Sequence, residues 1–210
     1  MAPLSHSSAR FVALKFCGAT LFITLCMGLY EHLLRHPTGL VHIVPVTAVD
    51  RLVPLQPLFL TVYLSLWAYV TLPLALIHRL DALLRYGGQM GLICALGLLC
   101  FYLWPTAQAT LNIDWEQYPT LMPLKRMDAS GNACPSLHVA CTLGAALWLD
   151  RALRQRRIGR GLSRLWALGI VYSTLAIKQH LLLDVMGGAV LAPLVSLPLL
   201  PFNRAEPRSC

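Results

Sequence analysis

The sequence predicts an all-α, polytopic membrane protein with six transmembrane helices, forming one integral-membrane domain over residues 1–210. Three observations carry that expectation. Hydrophobic residues make up 57% of the chain and charged residues only 12%, with a mean hydropathy of +0.62, which excludes disorder and argues against an ordinary soluble domain. Several apolar runs approach the roughly 20 residues that a helix needs to cross about 30 Å of hydrocarbon. The net charge of +8 is concentrated in one loop rather than interleaved with aromatics, so it reads as a topology signal, and no nucleic-acid partner is expected.

The expected spans follow in order. The first, residues 11–34, is too long for a cleaved leader and lacks a small-x-small cleavage site. A polar, proline-marked stretch over 35–54 separates it from the second span, 55–77. The charged turn of His78, Arg79, Asp81 and Arg85 leads to the third, 88–104. Residues 105–135 form the longest polar excursion, with Trp104, Trp115 and Tyr118 placed as interface anchors. The fourth span is 136–149, followed by the basic loop 150–164, which carries Arg151, Arg154, Arg156, Arg157, Arg160 and Arg164. The fifth is 165–177 and the sixth 182–200, where Pro193 and Pro198 bend the end.

Six crossings put twelve of the 17 basic residues on one side, among them Arg10, Lys15, Arg204 and Arg208, and five on the other. The arginine and lysine bias then makes both termini and the 150–164 loop cytoplasmic. Residues 105–135, His138 and His180 fall on the extracytoplasmic face of a cytoplasmic membrane. The seven cysteines (Cys17, Cys26, Cys94, Cys100, Cys134, Cys141 and Cys210) form no CxxC pair and read as small hydrophobes in apolar helices.

Ionisable groups in or beside membrane spans are expensive, so His138 and His180 attract functional suspicion. His180 and Asp184 stand at i and i+4, which on a helix shares a face with Ser173 and Ile177. A carboxylate on one ring nitrogen sets the tautomer and raises the basicity of the other. A buried structural pair or half of a metal site has the same spacing. The run Cys134-Pro135-Ser136-Leu137-His138 adds a helix start, with Pro135 in the first turn and Ser136 as cap or just inside. Free N–H groups and the positive dipole end there suit an anion. Two histidines around such a cradle, one backed by an aspartate, suit phosphoryl transfer through a phosphohistidine.

These residues resemble the type-2 phosphatidic acid phosphatase superfamily. Its PSGH motif is similar to Pro135-Ser136-Leu137-His138, and its SRxxxxxHxxxD motif has the spacing of Ser173, Thr174, His180 and Asp184, with Thr174 in the arginine's place. The KxxxxxxRP motif of its phosphatases has no counterpart. Leu137 for glycine and Lys178-Gln179-His180 look more like the branch with inositol-phosphorylceramide synthases and their bacterial relatives, and sphingomyelin synthases resemble it as well.

The resemblance implies a helical core like the family's and these roles. His180 attacks phosphorus, Asp184 orients it, and His138 protonates the leaving alkoxide and later deprotonates water or an alcohol acceptor. Ser136, Lys178, Lys125, Arg126 and Asn132 supply the phosphate contacts. The expected partners are a lipid phosphate substrate and the surrounding membrane lipids. The scheme requires no metal and no cofactor. Asp114, Glu116 and Asp128 read as ordinary loop acids, and His6, His32, His36, His42 and His78 as interfacial. Gly187 and Gly188 read as a close helix contact. The expected activity is a lipid phosphatase, the alternative a phosphotransferase moving a phospho-headgroup to an alcohol. The competing class is a transporter or scaffold with the histidines and Asp184 as a proton relay.

Overall fold

The computed structural model describes residues 9–127 and 131–199; His6, Asp128, Arg204, Arg208 and Cys210 lie outside the described residues. The chain opens with a long apolar helix, α1 (Ala9–Arg35), most of whose large side chains are exposed. A short strand β1 (His42–Val44) and the one-turn helix α2 (Ala48–Leu52) follow. A 3₁₀ turn (Pro57–Phe59) runs into α3 (Leu60–Leu64) and α4 (Leu66–Leu76). Ser65 marks the break between them, its hydroxyl turned back onto the Val62 carbonyl at 2.6 Å.

Helix α5 (Leu80–Leu103) starts a full two turns before the expected span. Asp81 in its first turn pairs with Arg85 at 2.7 Å, so the charged turn was read as a loop where it is an exposed helix start. The stretch 105–135 contains strand β2 (Thr106–Gln108), a 3₁₀ turn (Trp115–Gln117) and helix α6 (Met122–Met127). Helices α7 (Leu137–Ala152), α8 (Arg157–Ala176) and α9 (Leu182–Leu199) complete the fold. The basic loop shrinks to residues 153–156, because arginine is a good helix former and the two flanking helices extend into it. Arg164 of α8 grips Asp150 of α7 through two bonds of 2.6 and 2.9 Å across that corner.

Among the described residues, four helical segments are long and apolar enough to cross a membrane: Ala9–Arg35, Pro57–Leu76, Leu80–Leu103 and Leu182–Leu199. The protein is therefore a polytopic, helical membrane protein with four candidate spans, and the expectation of six is corrected. The fourth and fifth expected spans fail for different reasons. Helix α7 has 16 residues, about 24 Å at 1.5 Å per residue, short of the hydrocarbon thickness. Helix α8 has 20 residues, but Arg157, Arg160 and Arg164 occupy its first half. The apolar runs that suggested these two spans belong to helices packed in the bundle.

Helix α7 is the hub, packing on α9, α8, α5 and α4. Its buried face (Ala140, Ala145, Leu149) meets Ile93 and Met90 of α5, Tyr69 of α4, Ile170 of α8 and Leu191 of α9 in two adjoining clusters. Gly188 of α9 lies so close to α7 that an added methyl would collide with the Ser136 carbonyl oxygen and stand 3.0 Å from Val139 Cβ. Of the close helix contact expected at Gly187 and Gly188, Gly188 makes it with α7, while Gly187 lies against Cys134 and Pro135 just before that helix.

One element has no helical precedent in the sequence reading. β1 and β2 pair in parallel, His42 opposite Thr106 and Val44 opposite Gln108, and Asn132 extends the ladder by a bridge to Thr106. This small sheet ties three loops together at the end of the bundle where α7 begins, and it carries Gln108 to the site.

Candidate active site

Helix α8 ends at Ala176 because the next residues leave helical geometry: Lys178 adopts φ 57°, the left-handed region that disfavours a side chain. The loop is held in that shape at both ends of the residue. The Thr174 carbonyl accepts from the Gln179 and His180 N–H groups at 3.0 and 3.1 Å. The Lys178 ammonium donates to the Asp50 carbonyl at 2.7 Å and to that of Val53. Burial lowers the Lys178 pKa, partly offset by Asp50. Lys178, expected at the phosphate, thus has its ammonium engaged at the C-terminal end of α2.

His180 sits in this loop and not on a helix with Ser173, so the shared helical face is corrected. Asp184 lies in the first turn of α9, fully buried, and its Oδ2 accepts the Leu181 N–H at 2.9 Å. This is the reach of a third-position acid back to the start of a helix. The same oxygen lies 3.6 Å from His180 Nδ1, close enough for an ion-pair contact and too long for a hydrogen bond. Gln108 donates to it at 3.4 Å and also to the Gln179 carbonyl, so the β2 strand clamps loop and carboxylate together. Among the described residues, His180 Nδ1 and Asp184 Oδ1 are buried without a hydrogen-bond partner.

Ser136 is the N-cap of α7, its hydroxyl accepting from Val139 N–H at 3.2 Å, which places Pro135 before the helix and not in its first turn. The Ser136 N–H donates to the Asp184 carbonyl at 2.9 Å, fastening the two helix starts that carry His138 and Asp184. His138 stacks on Tyr63 of α3 with ring centroids 4.0 Å apart and 13° between planes. Its Nε2 is buried without a partner among the described residues. His138 lies outside the four apolar spans, and burial pushes its pKa down to about 3, with nearby His180 adding to the effect.

The remaining expected contacts separate. Lys125 of α6 donates to the Lys178 carbonyl at 2.9 Å and lies over the Trp115 ring, so it braces the His180 loop from outside. Arg126 is exposed at the end of α6. Asn132 is buried and donates through Nδ2 to the Tyr30 carbonyl at 2.7 Å. Ser173 and Thr174 turn their hydroxyls back onto α8, to the Ile170 and Val171 carbonyls at 2.6 and 2.8 Å. Beside His180 lies a cavity of about 220 Å³, reaching Tyr30, Tyr63, Thr106, Gln108, Asn132 and Gln179.

The sequence profile of the PAP2 superfamily matches residues 33–197, which takes in every site residue above. The chain belongs to the PAP2 superfamily. That makes it a member of a superfamily of hydrolases and phosphotransferases, acting on lipid substrates, and the match extends well beyond the two histidine motifs. No curated protein and no solved structure matched the chain.

Three residues of the site were not foreseen. Asp50 accepts the Leu182 N–H at 2.8 Å through one oxygen and closes a capping box with Thr47 through the other. Its signal was present as Thr47-x-x-Asp50, a cap pattern that had no reason to be near His180. Gln108 and Tyr63 carry no motif, and only the fold brings them to Asp184 and His138.

Proposed function

We propose that this PAP2 superfamily member removes a phosphoryl group from a lipid phosphate or pyrophosphate through a phosphohistidine on His180. The observation that carries the reading is the placement of His180 Nδ1 3.6 Å from a clamped Asp184, whose carbonyl accepts the N–H of Ser136 two residues before His138. With Nδ1 toward the carboxylate, Nε2 is the nucleophile. It bonds to phosphorus as the P–O bond of the ester breaks, and His138 gives a proton to the leaving alkoxide. Buried and neutral in the free enzyme, His138 takes up that proton as the phosphate's negative charge arrives. Water then loses a proton to His138 and attacks phosphorus, the P–N bond breaks, and inorganic phosphate leaves.

The phosphoryl oxygens rest on the N–H groups at the start of α7, beyond the Ser136 cap, where the helix dipole favours an anion. Lys125 and Arg126 supply positive charge from α6, while Lys178 shapes the loop. The site faces the extracytoplasmic side of the cytoplasmic membrane. Support comes from Arg79 and Arg85 at the start of the α5 span, the end away from β2 and the histidines.

A second reading, transfer of the phosphoryl-containing group to an alcohol, as in the branch with inositol-phosphorylceramide synthases, is favoured by the neutral lining of the cavity beside His180. The test is to incubate the purified chain with a ³²P-labelled long-chain alkyl phosphate and quench it rapidly. Acid-labile label on the protein, lost in His180→Ala, supports the scheme. Turnover that persists in His180→Ala sinks it, and turnover that needs an alcohol selects the second reading.

A further inference from the structure

The 3₁₀ turn and α3 are fastened to α8 along one face. Phe59 lies edge-on to Tyr172 with ring centroids 5.0 Å apart. Val62 Cγ1 lies 3.6 Å from where a methyl on Gly169 would stand, and the Ser65 hydroxyl accepts the Trp166 indole N–H at 2.8 Å. The three contacts recur every third residue on both partners, as two helical faces in contact require. Tyr63 stands about 100° round the helix from Val62, off that face, and its ring meets α7 instead.

Tyr63 holds His138 in two ways. Its ring lies parallel to the imidazole, with centroids 4.0 Å apart and 13° between planes. Its backbone shares a hydrogen bond with His138 that favours the protonated ring, which only a carbonyl accepting from a ring N–H does. Among the described residues Nε2 is the His138 nitrogen left without a partner, so Nδ1 is the donor. An unbroken helix would give the Tyr63 carbonyl the N–H of Trp67. The break at Ser65 falls between them, and the ladder resumes with the Tyr69 N–H on the Ser65 carbonyl at 2.9 Å. No proline or glycine lies between residues 58 and 72 to cause that break.

We propose that Tyr63 is a positioning residue for His138, its carbonyl fixing a proton on Nδ1 and its ring face receiving the imidazolium that forms during the reaction. The inference rests on the reading of His138 as acid and base, and names the group that keeps it in one tautomer and one plane. With Nδ1 committed to the carbonyl, the transferable proton passes through Nε2 alone. Nε2–H gives it to the leaving alkoxide as the P–O bond breaks and the P–N bond to His180 forms. Nε2 later takes a proton from the attacking water as the P–N bond breaks. Nε2 is buried in the free protein, so its bond to the leaving oxygen forms only in the complex. An aromatic face within about 6 Å stabilises a cation, which counters burial and His180, both opposed to charge on His138. The other titratable groups on elements packed against α7 are engaged elsewhere. Asp184 of α9 faces His180 at 3.6 Å, and Cys94 of α5 lies on Cys141 at 3.8 Å. Tyr86 of α5 donates to the Val70 carbonyl, and Tyr69 of α4 is hydrogen-bonded to Ser163 of α8.

The test uses the full chain in lipid nanodiscs with hexadecyl phosphate, and measures kcat against pH for wild type, Tyr63→Phe, Tyr63→Leu and His138→Gln. In the complex His138 must be protonated to release the alkoxide, so kcat falls as pH rises through its pKa. Losing the ring face lowers that pKa. Tyr63→Leu should move the basic limb down by about one pH unit, and Tyr63→Phe, which keeps the face, should leave it in place. A merely structural role would lower kcat without moving the limb. A second measurement needs neither turnover nor a Tyr63 variant. Solid-state NMR of the ¹⁵N-histidine-labelled chain, with His138 assigned by its absence in His138→Gln, should find the proton of the neutral ring on Nδ1. An unmoved limb in Tyr63→Leu, an equal shift in Tyr63→Phe, or a proton on Nε2 in the free wild type overturns the proposal. A basic limb that persists in His138→Gln overturns the acid–base reading instead, and the tautomer still decides whether Tyr63 holds the ring.

Discussion

At the scale of single residues, the site is a set of polar atoms held just short of their partners. His180 Nδ1 stands 3.6 Å from Asp184 Oδ2, which already receives the Leu181 N–H and the Gln108 amide. Catalytic hydrogen bonds often tighten only with substrate bound. Asp184→Asn keeps the volume and loses the orienting charge, and steady-state turnover should fall by about 10²- to 10⁴-fold, the usual worth of acid–base organisation. His138 makes a separate prediction about pH. Its pKa drops from 6.5 to about 3 on folding, so below 6.5 the unfolded chain binds a proton that the folded chain refuses. The stability it contributes is whole above that value and is lost progressively as pH falls toward 3. Unfolding in detergent at pH 7 and pH 5 should show a larger loss for wild type than for His138→Gln, and equal losses would contradict the assignment.

At the scale of elements, two short segments hold the catalytic loop in place. Asp50 of α2 accepts from Thr47 and Leu182, while its own carbonyl holds Lys178. Asp50→Ala removes a helix cap and orphans the Leu182 N–H, together about 2–4 kcal/mol. A lowered melting temperature with turnover falling beyond the loss of folded protein is the expected outcome. Unchanged turnover per folded molecule would show that the α2 brace does not reach His180. The α7–α9 contact makes the second case. Gly188→Ala must push a methyl against the Ser136 carbonyl, which costs about 1–3 kcal/mol and parts the two helix starts. Thermal unfolding should report it, while Gly161→Ala, where a methyl meets open space, should be near neutral.

At the scale of the whole molecule, helices enter the site from one end of the bundle. The loop after α1, the loop after α5, the start of α7, the end of α8 and the start of α9 all gather there, stitched by the β1–β2 ladder. The turn between α7 and α8 lies at the other end. With α5 as a span between them, an epitope inserted at His78 and one inserted at Thr120 should therefore be protected and exposed on opposite faces of sealed vesicles. Equal accessibility would remove the support for an extracytoplasmic site. The two histidine motifs were readable in the sequence because each is local: a cap with a histidine two residues on, and a histidine four before an acid. The charge of Lys178 says nothing of where its side chain points. Its left-handed backbone goes with an ammonium held by the Asp50 and Val53 carbonyls, which only the fold supplies.

Composition and apolar runs alone determined that this is a helical membrane protein, and motif spacing alone singled out His138, His180 and Asp184. Both are properties of short stretches, where hydrophobicity and side-chain chemistry act without distant partners. Tertiary structure decided how many helices can cross, since α7 is too short for a span and α8 carries three arginines in its first half. It also decided what surrounds the histidines. Gln108, Asp50 and Tyr63 arrive from chain segments far apart in sequence, and only packing and ladder hydrogen bonds bring them together.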